Sequence, residues 1–186
     1  MVITELWRNQ KKYETRRKKF IVSKPKVIKE GARQGEIRYP AAGVGILLSD
    51  RLEKKVTAFG SEGERICWVH IRGPVCHLFV VAIYLPHRGR TSSSQDDTLA
   101  DLQKVLSNVN AHDCVCVLGD LNEQVQTNIK GLTDRWTGGQ ASKNADKVTQ
   151  LMRFHNLAAV NTMFQPKKHQ SVHTFLFIEI YDDFVS

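Results

Sequence analysis

The run Asp113-Cys114-Val115-Cys116-Val117-Leu118-Gly119-Asp120-Leu121-Asn122 carries an almost continuous apolar segment into a glycine, then presents an acid and an amide two residues apart. A short apolar run of this kind, ended by a glycine, predicts a strand over Asp113 to Leu118 buried on both faces rather than a half-exposed hairpin arm. Its polar end falls at the carboxyl edge of the sheet, where α/β proteins commonly bind their ligands. A second run, His77-Leu78-Phe79-Val80-Val81-Ala82-Ile83-Tyr84-Leu85-Pro86, repeats the pattern and releases Tyr84 just before a proline turn.

Further β-like segments are expected at Val2 to Thr4, Phe20 to Ser23, Gly43 to Leu48, Ile66 to Arg72, Val172 to Ile178 and Phe184 to Val185. So many strands imply a large sheet system, and strands buried on both faces require helices to cover them. One helix is predicted over Gln95 to Val109, with Leu99, Leu102, Val105 and Leu106 on one face and Ser94 and Asp97 at capping-box spacing. A second runs from about Asn144 to Phe154 and carries Val148, Leu151 and Met152. Residues 122 to 142 are polar and broken by Gly131 and Gly138-Gly139, the composition of a long loop. Gly60-Ser61-Glu62-Gly63 reads as a hairpin turn, without the Lys and Ser/Thr of a phosphate-binding loop. The order of elements gives a layered α/β protein with mixed sheets.

The 186 residues suffice for one sizeable core, and a single domain over residues 1–186 is the expectation. No apolar run approaches the roughly 20 residues that a spanning helix requires, and the first charges arrive too early for a signal-peptide core. An intracellular protein without membrane contact is expected. The four cysteines, none in a Cys-x-x-Cys pair, read as reduced core or strand residues. The net charge of +8 is concentrated in residues 1 to 30, where ten cations face three acids. The cluster Lys11, Lys12, Arg16, Arg17, Lys18 and Lys19, with Tyr13 and Phe20 interleaved, could neutralise phosphates of a nucleic acid. A solvated helix face or a nuclear-import signal fits it equally well.

Asp120 could orient or deprotonate a water, and Asn122 could hydrogen-bond an anionic oxygen or ligate a hard cation. Gly-Asp-x-Asn is also an ordinary turn. A phenol at Tyr84 could donate to a phosphate oxygen, and a strand-end Tyr can equally keep its ring in the core and its hydroxyl in water. The segment Val2-Ile3-Thr4-Glu5 ends in a carboxylate as well. Together Glu5, Tyr84, Asp120 and Asn122 make an oxygen-rich set suited to Mg²⁺ and a phosphodiester.

On Ile3-Thr4-Glu5, Ala42-Gly43-Val44-Gly45-Ile46-Leu47-Leu48-Ser49, Ile83-Tyr84-Leu85-Pro86 and Gly119-Asp120-Leu121-Asn122, in that order, the sequence resembles the endonuclease/exonuclease/phosphatase superfamily. Arg135-Trp136-Thr137-Gly138-Gly139, the stretch Val160 to Lys168 and His173-Thr174-Phe175 resemble the branch shared by craniofacial development protein 2-like proteins and non-LTR retrotransposon endonuclease domains. The resemblance implies a deoxyribonuclease-I-like fold, a two-layer sandwich of mixed β-sheets flanked by helices. It also implies a Mg²⁺-dependent phosphodiesterase, most readily an endonuclease acting on DNA. By the same likeness Glu5 matches the metal-binding Glu, and Tyr84 the phosphate-contacting Tyr. Asp120 matches the residue that activates water, and Asn122 its transition-state-stabilising neighbour. Asp183 matches the acid of an Asp-Tyr strand motif, with Phe184 in place of Tyr and Asp182 as an adjacent rival. The family's early Asn-bearing strand and closing Asp-His strand have no counterpart here, so the domain is expected to be incomplete at its termini. The alternative function is a catalytically inactive nucleic-acid-binding relic of a retrotransposon-type endonuclease.

Overall fold

The computed structural model describes residues 2–4, 18–22, 43–86, 92–136, 145–165 and 174–179; residues 2–4, 18–22, 92–93 and 174–179 are described as backbone. In chain order the elements are β1 (Val2–Thr4), β2 (Lys18–Val22), β3 (Val44–Ser49), α1 (Asp50–Glu53), β4 (Val56–Glu62), β5 (Ile66–Ile71) and β6 (His77–Tyr84). There follow α2 (Ser92–Leu106), β7 (Asp113–Asp120), α3 (Ala145–Phe154), β8 (Leu157–Ala159), a 3-10 turn (Val160–Thr162) and β9 (Thr174–Glu179).

These strands make two sheets. The smaller has the order β1-β3-β2 and is antiparallel throughout. The larger has the order β4-β5-β6-β7-β9-β8, in which β6 and β7 are parallel and every other pair is antiparallel. Two parallel neighbours need a crossover connection, and α2 supplies it. The expected mixed-sheet α/β sandwich is therefore the architecture observed.

Alternation along β5, β6 and β7 sends side chains to two separate cores. One face gives Cys67, Val69, Ile71, Val80 and Ala82 to a layer closed by Val44, Ile46 and Leu48 of the small sheet. The other gives Ile66, Phe79, Val81, Ile83, Val115 and Val117 to a layer closed by Leu102, Val105 and Leu106 of α2 and Val148 and Met152 of α3. Strand β6 is buried on both sides from Phe79 to Ile83, and β7 is buried on one side and half-buried on the other, so both read as nearly unbroken apolar runs.

Several boundaries differ from the expectation, each for a local reason. Strand β7 continues through Gly119 to Asp120, because parallel pairing with β6 holds register to the end of both strands. The glycine is required there by close approach: a Cβ on Gly119 would lie 1.8 Å from the Ile83 carbonyl oxygen. Gly60, Ser61 and Glu62 belong to β4, not to a turn, and the reversal comes at Gly63, whose φ of 58° is left-handed. Helix α2 begins at Ser92, so Ser94 lies inside it, where its carbonyl accepts a bond from Thr98 Oγ1 at 2.8 Å, and the expected capping box does not form. The helix ends at Leu106 rather than Val109, with the Ser107 hydroxyl and Asn108 amide donating to the carbonyls of Gln103 and Lys104. The strand expected at Phe184 to Val185 lies outside the described residues.

All four cysteines are free. Cys67 is fully buried and its thiol faces the Val44 carbonyl at 3.7 Å, while Cys76 is exposed. Burial, with Cys114 as a neighbour, pushes the Cys116 thiol up to about 11. At near-neutral pH a thiol-reactive probe should therefore label Cys76 first, and Cys67 and Cys116 only after denaturation; mass mapping of the labelled peptides checks this order. Gly119→Ala drives a methyl into the backbone of β6 and should lower stability by about 3 kcal/mol, read as a fall in the urea midpoint.

Candidate active site at the strand ends

The in-register pairing of β6 with β7 sets Tyr84 directly opposite Asp120. The backbone ladder runs one step further, with Leu85 N donating to Asp120 O at 2.8 Å. The chain then turns at Asn122, whose φ of 47° lies in the left-handed region that Asn tolerates better than most residues. Two bonds fix this turn. Asn122 N donates to Asp120 Oδ1 at 2.8 Å, and Asn122 Nδ2 donates to the Leu85 carbonyl at 2.7 Å. The Asp120 carboxylate is thus held by one oxygen and presents the other. The Asn122 amide keeps one N–H and its own oxygen for further use.

A buried polar clamp holds the two loops that leave these strands. Gln95 Nε2, on the first turns of α2, donates to the Pro86 carbonyl at 2.7 Å and to Glu123 Oε1 at 3.0 Å. Gln95 and Glu123 are both buried. Neither residue was singled out from sequence, and no spacing rule could have paired them, since they are 28 positions apart.

Of the predicted site residues, Tyr84, Asp120 and Asn122 are therefore brought together. Glu5 and Asp183, and Lys11, Lys12, Arg16 and Arg17 of the basic cluster, lie outside the described residues. Lys18 and Lys19 belong to the backbone of β2, opposite Ser49 and Leu48. Strand β1, which Glu5 follows in the chain, packs against β6 and β7. Among the described residues no group of three or more His, Cys, Asp or Glu is placed to hold a metal ion. Mg²⁺ takes one or two carboxylates and keeps several waters, so it can be met here through the Asn122 amide oxygen and through a water held by the open Asp120 oxygen. No helix among the described residues is long and apolar enough to cross a membrane.

A second polar network lies at the opposite end of the sheet. His70 Nε2 donates to Asp113 Oδ2 at 3.1 Å, Asn110 Nδ2 donates to the same oxygen at 3.0 Å, and Thr57 Oγ1 lies 2.5 Å from His70 Nδ1. It ties edge strand β4 to β7 through His70 of β5 and over the start of β6, at the position where a bulge interrupts β4 between Val56 and Ala58. Burial pushes the Asp113 carboxyl up, but the bonds from His70 and Asn110 outweigh it and hold the group below the ordinary carboxylate range. A carboxylate with a depressed folded-state pKa contributes stability above its unfolded value, and that contribution disappears as pH falls through the folded value. Urea midpoints of the wild type should therefore drop below about pH 4 more steeply than those of Asp113→Asn. Parallel profiles would show that the network contributes no acid-sensitive stability.

No protein-family model matches the chain. Craniofacial development protein 2 of Bos taurus is 23% identical over 124 residues, covering 66% of this chain and 21% of that protein. The chain thus spans about a fifth of that relative's length. Among solved structures, the endonuclease domain of TRAS1, a telomere-specific non-LTR retrotransposon, superposes with a TM-score of 0.54 at 13% identity, covering 90% of this chain and 67% of that one. An endonuclease/exonuclease/phosphatase family protein from Leptotrichia buccalis C-1013-b gives a TM-score of 0.50 at 10% identity, covering 91% and 63%. In fold, this chain is similar to the endonuclease domain of TRAS1 and to an endonuclease/exonuclease/phosphatase family protein.

Proposed function

We propose that the protein is a phosphodiesterase of the endonuclease type, hydrolysing DNA with the help of Mg²⁺ at the ends of β6 and β7. The observation that carries this reading is the facing pair Tyr84 and Asp120, stitched by Asn122, at the carboxyl edge of a sheet shared with endonuclease domains. The open oxygen of Asp120 accepts a proton from the attacking water and orients its lone pair toward phosphorus. The remaining N–H of Asn122 and the phenol of Tyr84 donate to the phosphate oxygens that gain charge in the transition state. Both groups are backed by hydrogen-bonded strand ends, so little reorganisation accompanies the reaction. Glu5 and Asp183 are the carboxylates assigned to the cation, which when bound neutralises charge on the phosphate. The basic residues Lys11, Lys12, Arg16, Arg17, Lys18 and Lys19 supply attraction to the DNA backbone that weakens as salt rises.

The purified chain should nick supercoiled DNA and cut abasic-site DNA in Mg²⁺, with EDTA abolishing both. Asp120→Ala and Glu5→Ala should each lower the rate by about a hundredfold or more, and Tyr84→Phe by a similar factor. A folded wild-type chain that binds DNA in a salt-dependent manner without cutting it would overturn the hydrolytic reading in favour of a binding relic.

A further inference from the structure

Arg65 is buried at the end of the sandwich, with 6% of its surface exposed. It immediately precedes β5, whose Ile66 pairs with Ile83, so Arg65 lies across from Tyr84, and Tyr84 N donates to the Arg65 carbonyl at 3.0 Å. Its guanidinium carbon sits 5.7 Å from the centre of the Tyr84 ring, within range of a cation–π contact. Its ion-pair partner among the described residues is the adjacent Glu64, Nη2 to Oε1 at 3.2 Å. Taking a guanidinium out of water is costly, and a neighbouring carboxylate offsets only part of that cost. Three adjacent strands therefore present Arg65, Tyr84 and Asp120 in a row at one end, a cation, a phenol and a carboxylate.

We infer that Arg65 is a positioning residue for phosphodiester cleavage, its planar cation fixing the Tyr84 ring from β5 so that the phenol meets the phosphate beside Asp120. This rests on the function proposed above and assigns a role that the strand-end motifs do not contain. Arg65 acts through Tyr84 rather than by touching the reacting atoms. A guanidinium offers the ring a flat face that an ammonium lacks, so lysine keeps the charge and reproduces the contact only in part.

The test combines kinetics with a spectroscopic readout on the full chain. Arg65→Met should lower kcat by about ten- to a hundredfold with KM little changed, and Arg65→Lys should fall between it and the wild type. In a Tyr84→Phe background the same Arg65→Met change should cost almost nothing further, because the ring remains but the phenol that Arg65 positions is gone. In chain labelled with 3-fluorotyrosine, the Tyr84 ¹⁹F resonance, assigned by its loss in Tyr84→Phe, should shift and broaden in Arg65→Met and move less in Arg65→Lys. If Arg65→Met fails to fold, the lysine variant carries the kinetic and spectroscopic comparison. An unchanged kcat, an unmoved Tyr84 resonance, or full losses that multiply with Tyr84→Phe would each overturn the role of Arg65. In those cases cleavage that still depends on Asp120 leaves the proposed function standing. Absence of cleavage by the folded wild type overturns the proposed function, and the role of Arg65 with it.

Discussion

The parallel contact between β6 and β7 is the constraint on which the rest of the molecule depends. It is the one parallel pair among the described strands, it is buried on one face and buried or half-buried on the other, and its register continues to the last residue of each strand. At Gly119 the two backbones come so close that no side chain fits between them. One residue later the strands end side by side, and their polar end groups are delivered together. The crossover helix, the two cores and the small sheet all follow from the need to cover this pair.

Hydrogen bonding then turns strand ends into a platform. The Leu85 amide, the Asn122 amide and the Asn122 side chain close a short circuit between the two strands, and Gln95 with Glu123 closes a second circuit around the loops. A buried polar group left without a partner is costly, so these bonds favour a single arrangement over neighbouring ones. Such a platform matches a chemistry whose transition state needs donors already in place. The other polar network, around His70 and Asp113, lies at the far end of the same strands and anchors the edge strand instead.

The parts of this arrangement that were legible in sequence are those written locally. Strands β6 and β7 appear as apolar runs because neither presents a fully solvated face, and α2 and α3 show helical apolar spacing. Strand β4 left no such trace: it lies at the sheet edge, is largely exposed or half-buried, and is broken by a bulge, so no alternation accumulates. Strand β8 is only three residues long and follows α3 after only His155 and Asn156. The Thr57–His70–Asp113 network spans positions 13 and 43 apart, and the Arg65 contact with Tyr84 depends on strand pairing, so neither has a spacing signature. Tyr84, Asp120 and Asn122 could be grouped beforehand because each stands at the end of a recognisable strand.

The strand ends form a fixed platform before any substrate arrives. Amide hydrogen exchange at Tyr84, Leu85 and Asn122 tests it most directly, since their N–H groups are bonded to Arg65 O, Asp120 O and Asp120 Oδ1. All three should exchange with the slow class formed by the interiors of β6 and β7. Exchange at the rate of an unprotected loop, while those strand interiors stay protected, would contradict the account and show that the platform is not built into the fold.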